Sequence, residues 1–127
     1  MIHLDTSVLI DALTGVERSR FRLRELLAGP ELVVISSIVL FEWLRGPRLE
    51  QELQAQEALF PTADAVPFTS AEAQIASALY KRIKRPRGRE ADLVIAACAL
   101  ACEASLWTLN PKDFEDVPGL GLWQSHR

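Results

Sequence analysis

The alternation of apolar and polar residues along the chain predicts a single α/β domain over residues 1–127. Short apolar runs alternate with longer segments in which apolar residues recur every three or four positions. The predicted strands are residues 1–5, "ELVVIS", "ADAVPF", "SLWTL" and "GLWQ", and Pro67 limits the third of these to a sheet edge. Strands that alternate with helices indicate a mainly parallel sheet, covered on both faces in a three-layer α/β/α sandwich.

Capping residues and glycines mark the ends of the predicted helices. Thr6 or Ser7 is expected to cap a first helix that stops near Gly15, and Ser36 or Ser37 to cap the helix "SIVLFEWLRG". The segment "ERSRFRLRELLAGP" predicts an amphipathic helix whose apolar side is Phe21, Leu23, Leu26 and Leu27. Three more helices are predicted: Arg48 to Leu59, "TSAEAQIASALYKRI" with Thr69 or Ser70 and Glu72 at its start, and "READLVIAACALACEA".

Composition narrows the class of protein. No apolar stretch approaches the roughly 20 residues that a membrane span needs. The first apolar run is broken at Asp5 without a basic leader before it, so we expect a cytoplasmic protein with no membrane contact. Cys98 and Cys102 lie four positions apart in an alanine-rich helix. They are expected to be small buried residues in a reducing compartment rather than a disulfide or a zinc site.

A basic segment stands out against the net charge of −3. Residues 81–89, "KRIKRPRGR", hold six of the fourteen basic residues and no acidic one. This segment is a candidate contact for a polyanion, and Arg85, Arg87 and Arg89 are its candidate phosphate-binding residues. The alternative is a solvated helix end, where cations are favoured in any case.

Three acidic residues adjoin strongly apolar sequence: Asp5 ends the first strand, Glu42 lies between Phe41 and Trp43, and Asp92 begins the last helix. Each has a structural alternative. Asp5 could cap the following helix, Glu42 could pair with Arg45, and Asp92 could complement the helix dipole.

Taken together, these three carboxylates predict a metal site. All three are placed to face the crevice beyond the carboxyl ends of parallel strands. Clustered carboxylates repel one another unless a cation lies among them, and oxygen ligands suit Mg²⁺ or Mn²⁺. Such an ion can activate a water and stabilise a phosphoryl oxygen, so a phosphodiester is the expected substrate.

Four motifs in order, "LDTSVLID", "SSIVLFEWLRG", "ADLVIAACALA" and "TLNPKDFEDVPGL", resemble the PIN-domain family, and more narrowly its VapC-type ribonuclease toxins. The resemblance covers essentially the whole chain. It implies a PIN-like α/β/α fold and a Mg²⁺- or Mn²⁺-dependent endoribonuclease, the toxin of a type II toxin–antitoxin pair, which hydrolyses RNA with a metal-activated water.

The resemblance also implies the site residues. The metal-binding acids fall on Asp5, Glu42 and Asp92, and Thr6 and Ser7 match the small polar pair that follows the first Asp. The fourth motif departs from the family pattern, because Asn110 stands two residues after Thr108 where many members have Asp. Asp113 could supply a carboxylate instead, and Asn110 could still orient a ligand or water. Because the departure affects a second metal position, one tightly held ion is expected.

The family further implies an RNA substrate, a homodimer and a small antitoxin protein that inhibits the site. The antitoxin would lie in an apolar groove, for which helix 18–28 could form a wall; ordinary core packing is the alternative for that helix. Two other functions remain open. One is a catalytically silent PIN-like module that binds RNA or protein, and the other is a DNA nuclease of similar architecture.

Overall fold

A computed structural model describes residues 1–15 and 18–124. Its sheet has three parallel strands in the order β2-β1-β3, in which β1 is Ile2–Leu4, β2 is Val33–Val34 and β3 is Ser105–Trp107. Ile2 lies opposite Val33 on one side and Ser105 on the other. The predicted α/β class with a parallel sheet is confirmed, and the carboxyl ends of the three strands meet at one edge.

Six helices occur in the described part of the chain: α1 (Thr6–Leu13), α2 (Arg18–Ala28), α3 (Ser37–Arg45), α4 (Glu50–Leu59), α5 (Ser70–Arg82) and α6 (Glu90–Ala101). Short 3-10 turns cover Thr62–Asp64 and Pro111–Asp113. α1 packs against β1, α2, α3 and α4, while α6 packs against β3, α3 and α5. α1 and α6 therefore each adjoin both the sheet and other helices.

Two predicted strands are reduced to single bridges. Val66 pairs only with Ser36, and Leu122 pairs only with Leu106. The next residue after Val66 is Pro67, which has no N–H to continue the pairing. Pro67 thus explains why "ADAVPF" does not continue as a regular strand. "GLWQ" likewise forms a single bridge and not a regular strand.

The helix starts are confirmed in part. The Ser36 hydroxyl accepts a hydrogen bond from the Val39 N–H over 3.2 Å, and Thr69 caps α5 reciprocally with Glu72. Neither Thr6 nor Ser7 caps α1. Asp5 occupies that position, and its side chain makes no capping hydrogen bond.

The predicted apolar side of α2 is wrong at one residue. Leu23 is buried and Leu26 and Leu27 pack partly against the core, but Phe21 is 67% exposed. Two positions along a helix correspond to a rotation of roughly 200°, so Phe21 lies nearly opposite Leu23. The predicted start of this helix at Glu17 falls outside the described residues.

Of the two cysteines, Cys98 lies in α6 and Cys102 lies at its C-cap. Cys98 is buried, Cys102 is partly buried and both are free thiols. Among the described residues, no helix has the length and apolar character needed to cross a membrane.

Candidate active site

Asp5 is buried at the carboxyl end of β1, with 6% of its surface exposed. Its Oδ2 atom accepts one hydrogen bond from Ser7 Oγ over 2.8 Å and another from Thr108 Oγ1 over 2.7 Å. Two donors offset part of the cost of taking a carboxylate out of water. The side chain of Asp5 is therefore bonded to the hydroxyl groups of Ser7 and Thr108 and does not cap the backbone of α1.

The loop after β3 fixes the direction of both hydroxyl groups. Ser7 Oγ accepts a hydrogen bond from the Leu109 N–H over 3.1 Å, and Thr108 Oγ1 accepts one from the Asn110 N–H over 3.0 Å. A hydroxyl group has a single proton to donate. Since the backbone N–H can only donate and the carboxylate can only accept, each hydroxyl accepts from the loop and gives its proton to Asp5, which is thereby held in one orientation.

Glu42 joins α3 to the start of α1. Its side chain is 17% exposed, and Oε1 accepts a hydrogen bond from Thr6 Oγ1 over 2.5 Å. The pair with Arg45 anticipated from the sequence is also present, at 3.7 Å between Nη2 and Oε2. Arg45 is 63% exposed, so this ion pair contributes little. The bond to Thr6 places Glu42 beside the residue that follows Asp5.

Asp92 lies in the first turn of α6 and is partly buried. Its burial, together with the negative charges of Asp113, Asp5 and Glu42, raises its pKa from 3.8 to about 6, while Arg89 opposes the rise. These neighbours show that the four carboxylates share one region of the molecule. The sequence-predicted acids, which come from different helices and loops, are thus brought together.

The fourth motif contributes in two different ways. Asp113 ends the short turn Pro111–Asp113, is exposed, and is the carboxylate with the largest effect on the pKa of Asp92. Asn110 contributes its backbone N–H to the hydroxyl of Thr108. Asn110 therefore acts on Asp5 through Thr108, whereas Asp113 acts on Asp92.

The donor set fits a hydrated divalent cation. Within residues 1–15 and 18–124, no three His, Cys, Asp or Glu side chains already surround a common point closely enough to ligate a metal. Mg²⁺ usually keeps several waters and takes only one or two carboxylates directly. Mutually repelling oxygen donors, of which Asp5 is already oriented, match that mode of binding.

The arginines of the basic segment 81–89 differ in their exposure to solvent and in their ion pairing. Arg85 and Arg87 are exposed. Arg89 instead forms an ion pair with Asp116, at 2.6 Å between Nη2 and Oδ1. Asp116 is a residue that the sequence reasoning missed, because nothing in the motif "DFED" distinguishes it from the acids beside it.

An apolar groove of about 540 Å³ runs between α1, α2 and α4. Its walls include Ala12, Leu13, Leu23, Leu27, Ala55 and Leu59, with Arg20 and Arg24 beside them. α2 thus lines an apolar groove, and its Leu23 is also buried in the core, so both alternatives for this helix are found in part. The contribution of α4 was not predicted, since its sequence is mostly polar.

The sequence matches the family profile described as "PIN domain" over residues 2–120. It is 35% identical to ribonuclease VapC19 of Mycobacterium tuberculosis over 92% of this chain and 94% of that protein. It is also 33% identical to ribonuclease VapC1 of Methanocaldococcus jannaschii, over 95% of this chain and 84% of that protein.

Solved structures give the same relationship. VapBC2 from Rickettsia felis, bound to a DNA fragment from its promoter, superposes with a TM-score of 0.76 at 28% identity, over 98% of this chain and all of the matched chain. A toxin–antitoxin complex from Klebsiella pneumoniae superposes with a TM-score of 0.70 at 29% identity, over 94% and 95% of the two chains. The chain therefore belongs to the PIN domain family and, within it, is of the VapC type.

Proposed function

We propose that this chain is a Mg²⁺- or Mn²⁺-dependent endoribonuclease and the toxin of a type II toxin–antitoxin pair. The observation that carries the proposal is the carboxylate site itself. Asp5 is oriented by two hydroxyl donors, and Asp92 has a pKa raised to about 6 by burial and by three neighbouring carboxylates. The names of its relatives, ribonuclease VapC19 and ribonuclease VapC1, support RNA as the substrate.

Asp5, Glu42 and Asp92 would hold the cation, with Asp113 or Asn110 completing its surroundings. When bound, such an ion lowers the pKa of a water and stabilises negative charge on a phosphoryl oxygen. Ser7 and Thr108 keep Asp5 in position throughout, because the loop after β3 fixes their hydroxyl groups. Positive charge among the carboxylates would lower the pKa of Asp92 from about 6, so that its side chain would be fully ionised as a ligand at neutral pH.

Calorimetric titration of Mn²⁺, followed by cleavage of a fluorescent single-stranded RNA, tests this function. The wild-type protein should bind the ion and cut the RNA, and Asp5→Asn and Asp92→Asn should lose both properties. Asp64→Asn changes an exposed acid in the turn after α4 and should retain both. Equal heats from all four proteins would mean that the carboxylates are structural. Binding without cleavage of RNA would favour the silent binding module, and cleavage of DNA alone would favour the DNA nuclease.

Arg85 and Arg87 are proposed to hold phosphates that flank the cleaved bond. Both are exposed on the basic segment 81–89. For a single-stranded RNA, removal of one phosphate-binding side chain should reduce the slope of log affinity against log salt by about 0.7. An unchanged slope in Arg85→Ala and Arg87→Ala would remove this role.

The groove between α1, α2 and α4 is proposed to receive an apolar helix of the antitoxin. Its apolar walls suit a partner segment with an apolar face, and the adjacent exposed Arg24 suits an acidic residue beside that face. The similarity to solved toxin–antitoxin complexes supports such a partner. A homodimer is proposed as well, on family resemblance alone.

Co-expression with the product of the adjacent reading frame tests the groove. Ala55→Arg places a charge on the lining and should abolish co-purification. Gln54→Arg, the matched control, changes an exposed neighbour on the same helix that does not line the groove. Equal loss in both variants, or in neither, would place the antitoxin elsewhere.

A further inference from the structure

Arg89 donates three hydrogen bonds to the loop that follows β3. Nη1 donates to Asp116 Oδ2 over 2.8 Å, and Nη2 donates to Asp116 Oδ1 over 2.6 Å. Nη2 also donates to the backbone carbonyl of Asp113 over 2.8 Å. A planar guanidinium that binds both oxygens of one carboxylate is the geometry in which an exposed ion pair has a substantial effect.

The position of Arg89 is not explained by helix formation. It occupies the N-cap of α6 without a capping side-chain bond, where Ser, Thr, Asp or Asn is preferred. A cation there is also disfavoured by the helix dipole. Only 22% of the Arg89 side chain is exposed, whereas Arg85 and Arg87 are open to solvent.

These hydrogen bonds of Arg89 connect the start of α6, which carries Asp92, to the loop that carries Asp113. Arg89 precedes Asp92 by three residues, so the two lie within the same first turn of α6. On the other side it binds the backbone of Asp113, the carboxylate that most affects Asp92. The side chains of Phe114 and Val117 are buried in the core and anchor the same loop. Arg89 in addition holds the backbone carbonyl of Asp113.

We propose that Arg89 is a positioning residue, which with Asp116 holds the Asp113 loop against the first turn of α6, and is not a phosphate contact. A phosphate that used the same fork of Nη1 and Nη2 would have to displace the carboxylate of Asp116. The inference removes Arg89 from the arginines predicted to bind RNA. Its consequence for catalysis rests on the proposed ribonuclease function.

Five variants separate positioning from RNA binding. Arg89→Lys keeps the charge but loses the forked geometry, so a phosphate contact would largely survive and the hydrogen bonds to the loop would not. Asp116→Ala removes a residue that has no attraction for phosphate. Arg89→Ala and the double variant Arg89→Ala/Asp116→Ala test whether the two residues act as one unit, and Arg87→Ala is the control for the basic segment.

Hydrogen exchange of the amides of residues 113–117 is measured first, because it does not depend on activity. Arg89→Lys and Asp116→Ala should each speed this exchange, the double variant should add little, and Arg87→Ala should leave it unchanged. RNA cleavage by Arg89→Lys and by Asp116→Ala should then show kcat lowered about tenfold with KM little changed, as for a misplaced catalytic group.

Unchanged loop exchange in Arg89→Lys and Asp116→Ala would overturn the proposal. It would also be overturned if Asp116→Ala kept the wild-type kcat while Arg89→Ala lowered RNA affinity and its salt dependence. If the wild-type protein cuts no RNA, the proposed function fails, and the exchange measurement still decides whether Arg89 holds the loop.

Discussion

Thr108 donates a hydrogen bond to the carboxylate of Asp5 over 2.7 Å, although 103 positions separate the two residues. Thr108 follows β3 and Asp5 follows β1, and the two strands are parallel neighbours. The Asp5 N–H also donates to the carbonyl of Trp107 over 2.9 Å, which extends the pairing to the edge of the sheet. The position of the acid is thus set by the pairing of β1 with β3.

Removal of the Thr108 hydroxyl should destabilise the protein. Thr108→Val leaves Asp5 with Ser7 as its remaining hydroxyl donor, and a hydrogen bond to a buried charged group contributes about 1.5–3 kcal/mol. We expect the free energy of unfolding in urea to fall by about that amount. Ser77→Ala, which removes an exposed hydroxyl bonded to a backbone carbonyl, should change it by less than about 0.5 kcal/mol. Equal effects would mean that Asp5 does not depend on Thr108.

Neutralisation of Asp92 should stabilise the protein in the absence of divalent metal. Its pKa in the folded chain is about 6, above the ordinary 3.8, so folding favours the protonated form. The contribution of Asp92 to stability is therefore lost as pH rises from about 4 to 6. At pH 7.5, Asp92→Asn should raise the free energy of unfolding by about 1–2 kcal/mol, after allowance for solvent screening.

The control for Asp92→Asn is Glu90→Gln in the same helical turn. Glu90 is exposed, and it is not among the charges that shift the pKa of Asp92. Urea denaturation in a chelator should show the gain for Asp92→Asn at pH 7.5 but not at pH 4. A gain of equal size at both pH values would point to a cause other than repulsion among the carboxylates.

His3 should make the fold sensitive to acid. Burial and the nearby amino terminus lower its pKa from 6.5 to about 4, and its Nε2 atom has no hydrogen-bond partner among residues 1–15 and 18–124. Its contribution to stability is present above pH 6.5 and lost as pH falls from there towards 4, by about 3 kcal/mol in all. The measurement belongs in the Asp92→Asn background, because Asp92 titrates over the same range with the opposite sign. There, addition of His3→Phe should flatten the dependence of stability on pH, and an unchanged dependence would contradict the assignment to His3.

Gly46 should be required for the stacking of Arg48 on Trp43. The Arg48 guanidinium lies 4.2 Å from the ring centre of Trp43, and its Nε donates to the Trp43 carbonyl over 2.9 Å. A Cβ added at Gly46 would lie 2.7 Å from Arg48 Nη2. Gly46→Ala should therefore displace the guanidinium, at a cost of about 0.5–1 kcal/mol. Arg48→Ala should cost at least as much, and Gly46→Ala should add nothing in that background; additive losses would contradict the coupling.

The local pattern of the chain predicts most of the elements. The strand before Asp5, the caps at Ser36 and Thr69, and the helices that carry Glu42 and Asp92 depend on neighbours within a few positions, and all are found in the structure. The short reach of "ADAVPF" follows from Pro67, which also lies within the segment. Phe21 shows the limit of this reasoning, because helical periodicity places apolar residues on a face without saying which face meets the core.

The α/β class and the acids that adjoin apolar segments follow from the sequence alone, because hydrophobic periodicity and capping are local properties. The partner of each acid depends instead on how the chain folds in three dimensions. Thr108 donates to Asp5, Thr6 donates to Glu42, and Arg89 donates to Asp116 and to the backbone of Asp113. The three side-chain pairs are separated by 27 to 103 positions in the sequence. Such pairings arise from strand register and helix packing, which bring distant segments together, and no spacing within any one segment encodes them.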